Sequence, residues 1–469
     1  MKTISFFKSL SWLVLLNLLV KPVWIFFIDR KVQLTSGNEE YGRYFSVLNL
    51  SYVLIFLADA GLTNMLNQRI ANRIPVNTGR WVRIKILLLF IYFIACCFTG
   101  WLAHITQWTY LLYLALVQIL ASFYVFLRCF VTAHQHFNAD AWFSITDKLL
   151  MTVFCGLILY SSFFGNMSLK IFLQIQTACT LLAILLVLAF FSKKHIALTG
   201  QTDASERMIR MVMPFALIVF LMSVHNRVDG FLLERLHHHG AVEAGMYAAG
   251  YRLLDATSML GYLASTFLVP FIARHQQEKN LVNETVLNTR HALIFFGLGA
   301  VCFSVLFAPW IQQLLYRASD PYQSRLIQLC MATLPAYLLV HVYGSVLTAM
   351  NRLQLFIRLL FVSVVLNLVF NLLLIPQYGA LACCIAALVS QYFCGISLCI
   401  FASRREKISF GLRSWLAYGI TGLLLVVLFY FGPMVISSVW IILAIASILC
   451  LLLLTTQISF VKKYFVSFF

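Results

Sequence analysis

Nine ionisable side chains fall inside long apolar runs of this 469-residue chain: Lys21, Asp59, Arg128, His225, Arg227, Asp229, Arg252, Asp255 and His341. A charge in hydrocarbon costs several kcal/mol unless it is paired or hydrated, so each is a functional candidate by default. Lys, and above all Arg with its planar fork of donors, can hold phosphate and carboxylate oxygens taken out of water. At 1.5 Å per residue, Lys21 lies about 18 Å along its run, and Arg227 and Asp229 lie about 24–27 Å along theirs. Arg252 and Asp255 lie roughly 9–14 Å from the start of the following run. These depths put Lys21, Arg227 and Arg252 in the same half of a membrane, where they are candidate contacts for an anionic substrate.

A local reading competes at several positions. Arg252 and Asp255 are spaced i,i+3 on one helix face and could neutralise each other, as could His225 and Asp229 at i,i+4. Arg128 is near the end of its run and could snorkel to the interface. Asp59, Asp229 and Asp255 are the acids placed to couple an ion or to act as a gate. Pro22 follows Lys21 directly and frees the carbonyl of Leu18, predicting a kink beside the candidate residue; Pro335 predicts a second kink, and both are hinge candidates. His237-His238-His239 stands in a loop without Cys or a carboxylate pair, so it reads as a solvated turn, and neither a metal nor a cofactor is expected.

The elements that must position these residues are membrane helices. Apolar residues make up 62% of the chain and charged residues 11%, with a mean hydropathy of +0.89. That composition cannot coat a soluble domain of this size in polar surface. The net charge of +18 is distributed as short basic patches between apolar runs, the pattern of loops against anionic head groups and not of a nucleic-acid-binding surface. All twelve cysteines fall within apolar runs and read as packing residues. Lys2 and Lys8 before an apolar run imitate a signal peptide, but that run reaches Ile28 without a small-residue cleavage site and reads as a retained span.

Apolar runs bounded by charges or turn residues give about fourteen spans. The first is Ser9–Ile28, the third Ile84–Ile105, the fifth Ile145–Phe164, the seventh Met211–Leu236, the eighth Met246–Ile272 and the ninth His291–Leu315. The last two are Trp415–Phe431 and Met434–Leu454. Alternating the loops leaves 23 Lys and Arg on one side, Lys85, Lys148 and Arg290 among them. Seven lie on the other: Arg30, Lys31, Arg43, Lys170, Arg235, Arg317 and Arg325. The richer side is expected to be cytoplasmic, with both termini there.

Glu40-Tyr41-Gly42-Arg43-Tyr44 enters the second span and Glu243-Ala244-Gly245-Met246-Tyr247 the eighth, both reading E-x-G-x-Y. Val131-Thr132-Ala133 and Leu347-Thr348-Ala349 close the fourth and tenth. Two echoes in the same order imply a duplication with an even number of spans per unit, hence an axis along the membrane normal. The expected fold is an all-α polytopic membrane protein with two six-helix lobes related by a pseudo-two-fold axis. Residues 1–200 would form the N-terminal lobe, 201–410 the C-terminal lobe and 411–469 an extra helix pair.

The runs NEEYGRYFSVLNLSYVLIFLADAGLTNMLNQRIA and VHNRVDGFLLERLHHHGAVEAGMYAAGYRLLDA resemble the openings of the two lobes in Wzx-type O-antigen and polysaccharide flippases. These belong to the multidrug/oligosaccharidyl-lipid/polysaccharide exporter superfamily. The resemblance implies an alternating-access carrier of the bacterial inner membrane whose cargo is an undecaprenyl-pyrophosphate-linked oligosaccharide for lipopolysaccharide or other surface polysaccharide. It also implies membrane lipids, a coupling proton or sodium ion, and polymerase and chain-length proteins as partners. Lys21, Arg227 and Arg252 would then line a cationic cleft. A cation-coupled drug exporter of the same superfamily is the alternative, but such a carrier should present an acidic cavity. A membrane sugar polymerase or glycosyltransferase is further off, because the outward loops are short and no DxD motif or nucleophile–base arrangement stands out. A pure scaffold leaves the intramembrane charges without a purpose.

Overall fold

The computed structural model describes residue 12 and residues 15–71, 77–134, 136–161, 167–194, 208–317, 320–406, 408–436 and 438–457. Lys2, Lys8, Arg73, Arg207, Lys407, Lys462 and Lys463, on which part of the charge asymmetry rests, lie outside the described residues, as do both termini. Every regular element among the described residues is helical.

A π-helical turn, Trp24–Asp29, leads into α1 (Arg30–Leu54), α2 (Phe56–Asp59), α3 (Leu62–Ala71), α4 (Thr78–Leu102), α5 (Trp108–Ala133) and α6 (Phe137–Tyr160). Then come α7 (Leu169–Lys194), α8 (Met208–Leu236), α9 (Gly240–Arg274), α10 (Lys279–Leu306), α11 (Ala308–Tyr316) and α12 (Pro321–Ala332). The chain ends in α13 (Leu334–Ala349), α14 (Leu353–Tyr378), α15 (Ala380–Glu406), α16 (Leu412–Val435) and α17 (Val439–Gln457). Hydrocarbon offers backbone groups no hydrogen bonds, so a chain this apolar must satisfy them within helices.

Thirteen described stretches are long and apolar enough to cross a membrane. One of them, Leu15–Asp59, has 45 residues, about 67 Å of helix and twice the thickness of a hydrocarbon core. Gly37 leaves the helical path at φ 79° and ψ 165°, so this stretch supplies two crossings and the total is the expected fourteen. Lipid-facing sides carry exposed apolar groups such as Phe90, Trp101, Leu373 and Leu423, the reverse of a water-soluble helix.

The chain divides into two compact units, Met1–Gly245 and Met246–Phe469. The first unit retains α8, because that helix packs along α1. Its apolar core joins α4, α5 and α7 through Trp81, Phe126, Leu127, Phe130 and Phe191. In the second unit α13 is buried on almost every side and packs against α10 and α15. The pair α16–α17 packs on α10, with Cys302, Leu425, Phe429, Ile442 and Ala446 between them. All twelve cysteines are free and ten are buried, so no disulfide joins the spans.

The repeated E-x-G-x-Y glycines meet in the first unit. A Cβ on Gly42 would overlap Ala241 O, and one on Gly245 would overlap Asn38 O. Gln33 Nε2 donates to Gly245 O at 2.8 Å beside this crossing. Only hydrogen fits where two backbones touch, as at small-residue crossings of membrane helices generally. Gly42→Ala or Gly245→Ala should therefore lower stability by about 3 kcal/mol or more through overpacking. Gly419→Ala, whose Cβ meets nothing within 4 Å, should change it by less than about 1 kcal/mol. Thermal unfolding of the purified full-length variants checks the contrast.

Candidate functional site

Three helical segments of the first unit bring a group of charges together. Lys21, half-buried one turn before the π-helical turn, feels the charges of Asp147, Lys148 and Arg128. Lys148 Nζ lies 3.4 Å from Asp147 Oδ2 and 5.6 Å from the Trp24 ring centre. It is eleven residues into α6, about 16 Å along a 36 Å helix, so it is a mid-membrane cation and not the loop charge expected from sequence. Arg128 does not snorkel. Its Nε sits 2.8 Å from Asp140 Oδ1, Nη2 donates to Asp140 O at 3.4 Å, and Tyr124 lies beneath the guanidinium.

Arg227, on α8, lies 5.0 Å over the Tyr52 ring, and the same Tyr52 and the buried Asp29 lie within electrostatic reach of Lys148. A cation above an aromatic face is stabilised without being neutralised. His225 and Asp229 on the same helix are buried. Lys21, Arg128 and Lys148 balance the carboxylates Asp29, Asp140 and Asp147, and Arg227 adds one positive charge beside them. The group can hold an anion.

Asp59 serves a second polar knot. The helix breaks just after it, at Ala60 (φ 45°) and Gly61 (φ 78°). Its carboxylate caps the restart, accepting from Thr63 N at 3.3 Å and from the Thr63 hydroxyl. Lys85 Nζ donates to Asp59 Oδ1 at 2.6 Å, to Ala58 O at 2.9 Å and to Ser122 Oγ at 2.8 Å. Lys85 is completely buried, although alternation of the loops assigns it to the charges of the richer side.

In the second unit Arg252 Nη1 and Asp255 Oδ2 are 3.7 Å apart, with their side chains 14% and 20% exposed, so the i,i+3 pairing forms. Helix α9 begins at Gly240 and runs for 35 residues, which puts Arg252 about 18 Å from its start. Ser265 Oγ donates to His341 O at 3.0 Å. A charge absent from the expected site residues dominates this unit. Arg290 is fully buried in the middle of α10. Its Nε donates to Tyr418 Oη at 3.2 Å, and Nη1 donates to Tyr343 Oη and to Phe410 O, each at 3.0 Å.

The prolines act differently from simple kinks. Pro22 is followed by the π-helical turn, in which Arg30 N reaches back to Ile25 O, so the distortion sits one turn beyond Lys21. Pro335 stands in the first turn of α13, just after the break at Thr333 that separates it from α12. There its missing N–H leaves no helical bond unmade. The rings of His237, His238 and His239 lie tilted against one another, with centres 4.2 Å and 4.3 Å apart. Burial lowers the His237 pKa below its ordinary value, opposed by Glu243. Among the described residues no three metal-ligand side chains converge.

A family model described as polysaccharide biosynthesis protein matches residues 7–276. Among solved structures, the lipid II flippase MurJ in an inward closed conformation superposes with a TM-score of 0.66 at 10% identity, covering 97% of this chain and 99% of its own. A MATE transporter in complex with MaL6 gives 0.61 at 14% identity, covering 85% of this chain and 96% of its own. A MOP superfamily transporter from Pyrococcus furiosus, in which reversed polarity of the binding pocket suggests a different function, gives the same values. These likenesses show the fold alone: an all-helical, multi-pass membrane fold shared with MurJ and the MATE transporters. No curated protein matches the sequence.

The Asp59–Lys85 pair makes a stability prediction. Lys85→Met alone strands a carboxylate and Asp59→Leu alone strands a buried ammonium, and each should cost about 3 kcal/mol. The double variant Asp59→Leu/Lys85→Met should cost less than the worse single one. A double-mutant cycle on thermal unfolding checks this, and additive losses would contradict the pairing.

Proposed function

The chain belongs to the polysaccharide biosynthesis protein family, and from that premise we propose that it flips an undecaprenyl-pyrophosphate-linked oligosaccharide across the bacterial inner membrane. The observation that carries this reading is the cluster of Lys21, Arg128 and Lys148 at membrane depth, with Arg227 over Tyr52 on α8. A pyrophosphate leaving water needs several donors and positive charge, and lysine and arginine provide both.

In this reading Lys21, Arg227 and the newly identified Lys148 of the first unit contact the head group, and Arg252, paired with Asp255, is proposed as a substrate contact of the second unit taken by itself. Alternating access re-exposes the head group on the far side, for lipopolysaccharide or surface polysaccharide biosynthesis. Polymerase and chain-length proteins then act on the delivered cargo. Lys85, Lys148 and Arg290 lie inside helices and leave the loop count, yet the remaining Lys and Arg still strongly favour one side. That asymmetry supports cytoplasmic termini. Asp229 is proposed as the acid that couples a proton or sodium ion, and the Asp59–Lys85 knot as a gate-side anchor. The distortion after Pro22 and the break before Pro335 are the proposed hinges. An apolar groove of about 390 Å³ along α10 and α17, lined by Phe295, Phe303, Phe429, Leu443 and Leu451, is proposed for the polyprenyl tail. The repeat supports lobes of 1–200 and 201–410, with 411–469 as the added pair.

A cation-coupled multidrug exporter is the second reading, supported by the superposition on MATE transporters. The two predict opposite results. Lys21→Ala and Arg227→Ala should each lower surface glycan about tenfold or more, the worth of one charge-assisted contact, at unchanged protein level in the membrane. Lipid-linked glycan should accumulate on the cytoplasmic face. Normal glycan from both variants, with drug resistance altered instead, would favour the exporter.

A further inference from the structure

Arg290 carries a full positive charge into the interior of the second unit and is matched there by dipoles alone. Two tyrosine hydroxyls and the Phe410 carbonyl take its Nε and Nη1, and the Trp415 and Tyr418 rings lie 5.7 Å and 5.8 Å away. Among the described residues no carboxylate pairs with it, and its Nη2 is buried without a hydrogen-bond partner. Glu406, the acid closest in sequence to this corner, is bound to Arg352 at 2.8 Å. An arginine buried this way is destabilising unless a negative charge completes it.

The orphaned nitrogen faces the N-terminus of α16. Gly411 caps that 24-residue helix at φ 65° and ψ 69°, with no side chain bonded to the first-turn N–H groups. A Cβ on Gly411 would stand 3.4 Å from Arg290 Nη2 and 3.2 Å from Ser414 Oγ. Its absence leaves both donors open to the same approach. Gly411 is itself partly exposed, and Phe410 and Arg413 beside it are exposed, so the corner opens to the surface. A helix N-terminus, a guanidinium and a hydroxyl directed at one place form an oxyanion site.

We infer that Arg290, Ser414 and the N-terminus of α16 bind a phosphate group, from an anionic lipid head group or from free phosphate. The site is independent of the cargo cluster of the first unit. It lies at the end of α16 that the proposed orientation assigns to the cytoplasm, where anionic head groups and phosphate are both at hand. Occupancy would supply the missing negative charge and tie α16 to α10.

The test uses full-length protein purified in an uncharged detergent. Thermal unfolding is followed against inorganic phosphate, and in vesicles of phosphatidylcholine with or without phosphatidylglycerol, with native mass spectrometry reading retained lipid. Saturable stabilisation of the unsubstituted protein is expected. Ser414→Ala should weaken it about tenfold, the worth of one hydrogen bond to a charged group, and Arg290→Gln should abolish it. Because Arg290→Gln removes a buried residue and can impair folding, Ser414→Ala is the deciding variant. Stabilisation by phosphatidylglycerol alone identifies a lipid head group, and stabilisation by phosphate as well identifies an ion site; both support the inference. No stabilisation by either probe, or equal stabilisation of the Ser414→Ala protein, overturns it.

Discussion

Lys85 has no exposed surface and spends its three donors on Asp59, the Ala58 carbonyl and Ser122. The rest of the first unit's cytoplasm-assigned half is arranged around that requirement. An ammonium in hydrocarbon must find its counter-charge and acceptors inside the protein, since no water reaches it. Asp59 is available because the chain breaks at Ala60–Gly61, and the same carboxylate repairs the break by capping α3. Ser122 is available because α5 packs against α4. The knot thus fixes the register of several helices at once, a task apolar packing performs poorly in lipid, where a leucine is as well solvated by acyl chains as by another helix.

The other intramembrane charges follow the same rule in different ways. Arg128 and Arg252 have carboxylates, at 2.8 Å and 3.7 Å. Arg227 has an aromatic face, and Arg290 has tyrosines and a carbonyl. These partners differ in how readily they give way to a ligand. The short Arg128–Asp140 pair, with a second bond to the Asp140 carbonyl, favours structure. The Arg252–Asp255 contact is longer, and Arg227 lies over the Tyr52 ring.

Fourteen spans and the helical class were legible in the sequence because each depends on long-range composition or spacing. The paired glycines were legible as an echoed motif, but not as the point in the first unit where two backbones touch. Lys85, Lys148 and Arg290 were not legible, because hydropathy alone makes a charge the edge of a span. The helices do not stop there. In α4 the buried positions run Trp81, Lys85, Leu89, Tyr92 and Cys96, and in α10 they run Val282, Val286, Arg290, Leu293 and Gly297. Each cation stands in phase with the buried stripe, at the three- and four-residue steps of one helix face. That phase is present in the sequence and distinguishes a buried charge from a loop charge. Which acid or ring would meet it is not present, since Asp59 and Tyr418 come from other helices.

A buried charge of this kind gives the C-terminal pair its task. Read by hydropathy, α16 and α17 are two more apolar spans with no stated role. In the structure α16 supplies Tyr418, Trp415 and the capping Gly411 around Arg290, while Phe410 just before it gives the carbonyl. His291 Nδ1 sits 2.6 Å from the same Tyr418 hydroxyl. Removing the pair would leave the Arg290 guanidinium with only Tyr343 among these partners and facing hydrocarbon, a loss much larger than that of apolar contacts that lipid can replace. Helix α16 is therefore required by α10 on electrostatic grounds, and its attachment is polar at the Gly411 end and apolar further along, where Leu425 and Phe429 meet Cys302. A polar anchor fixes the position of α16 on α10, and apolar packing continues the contact further along.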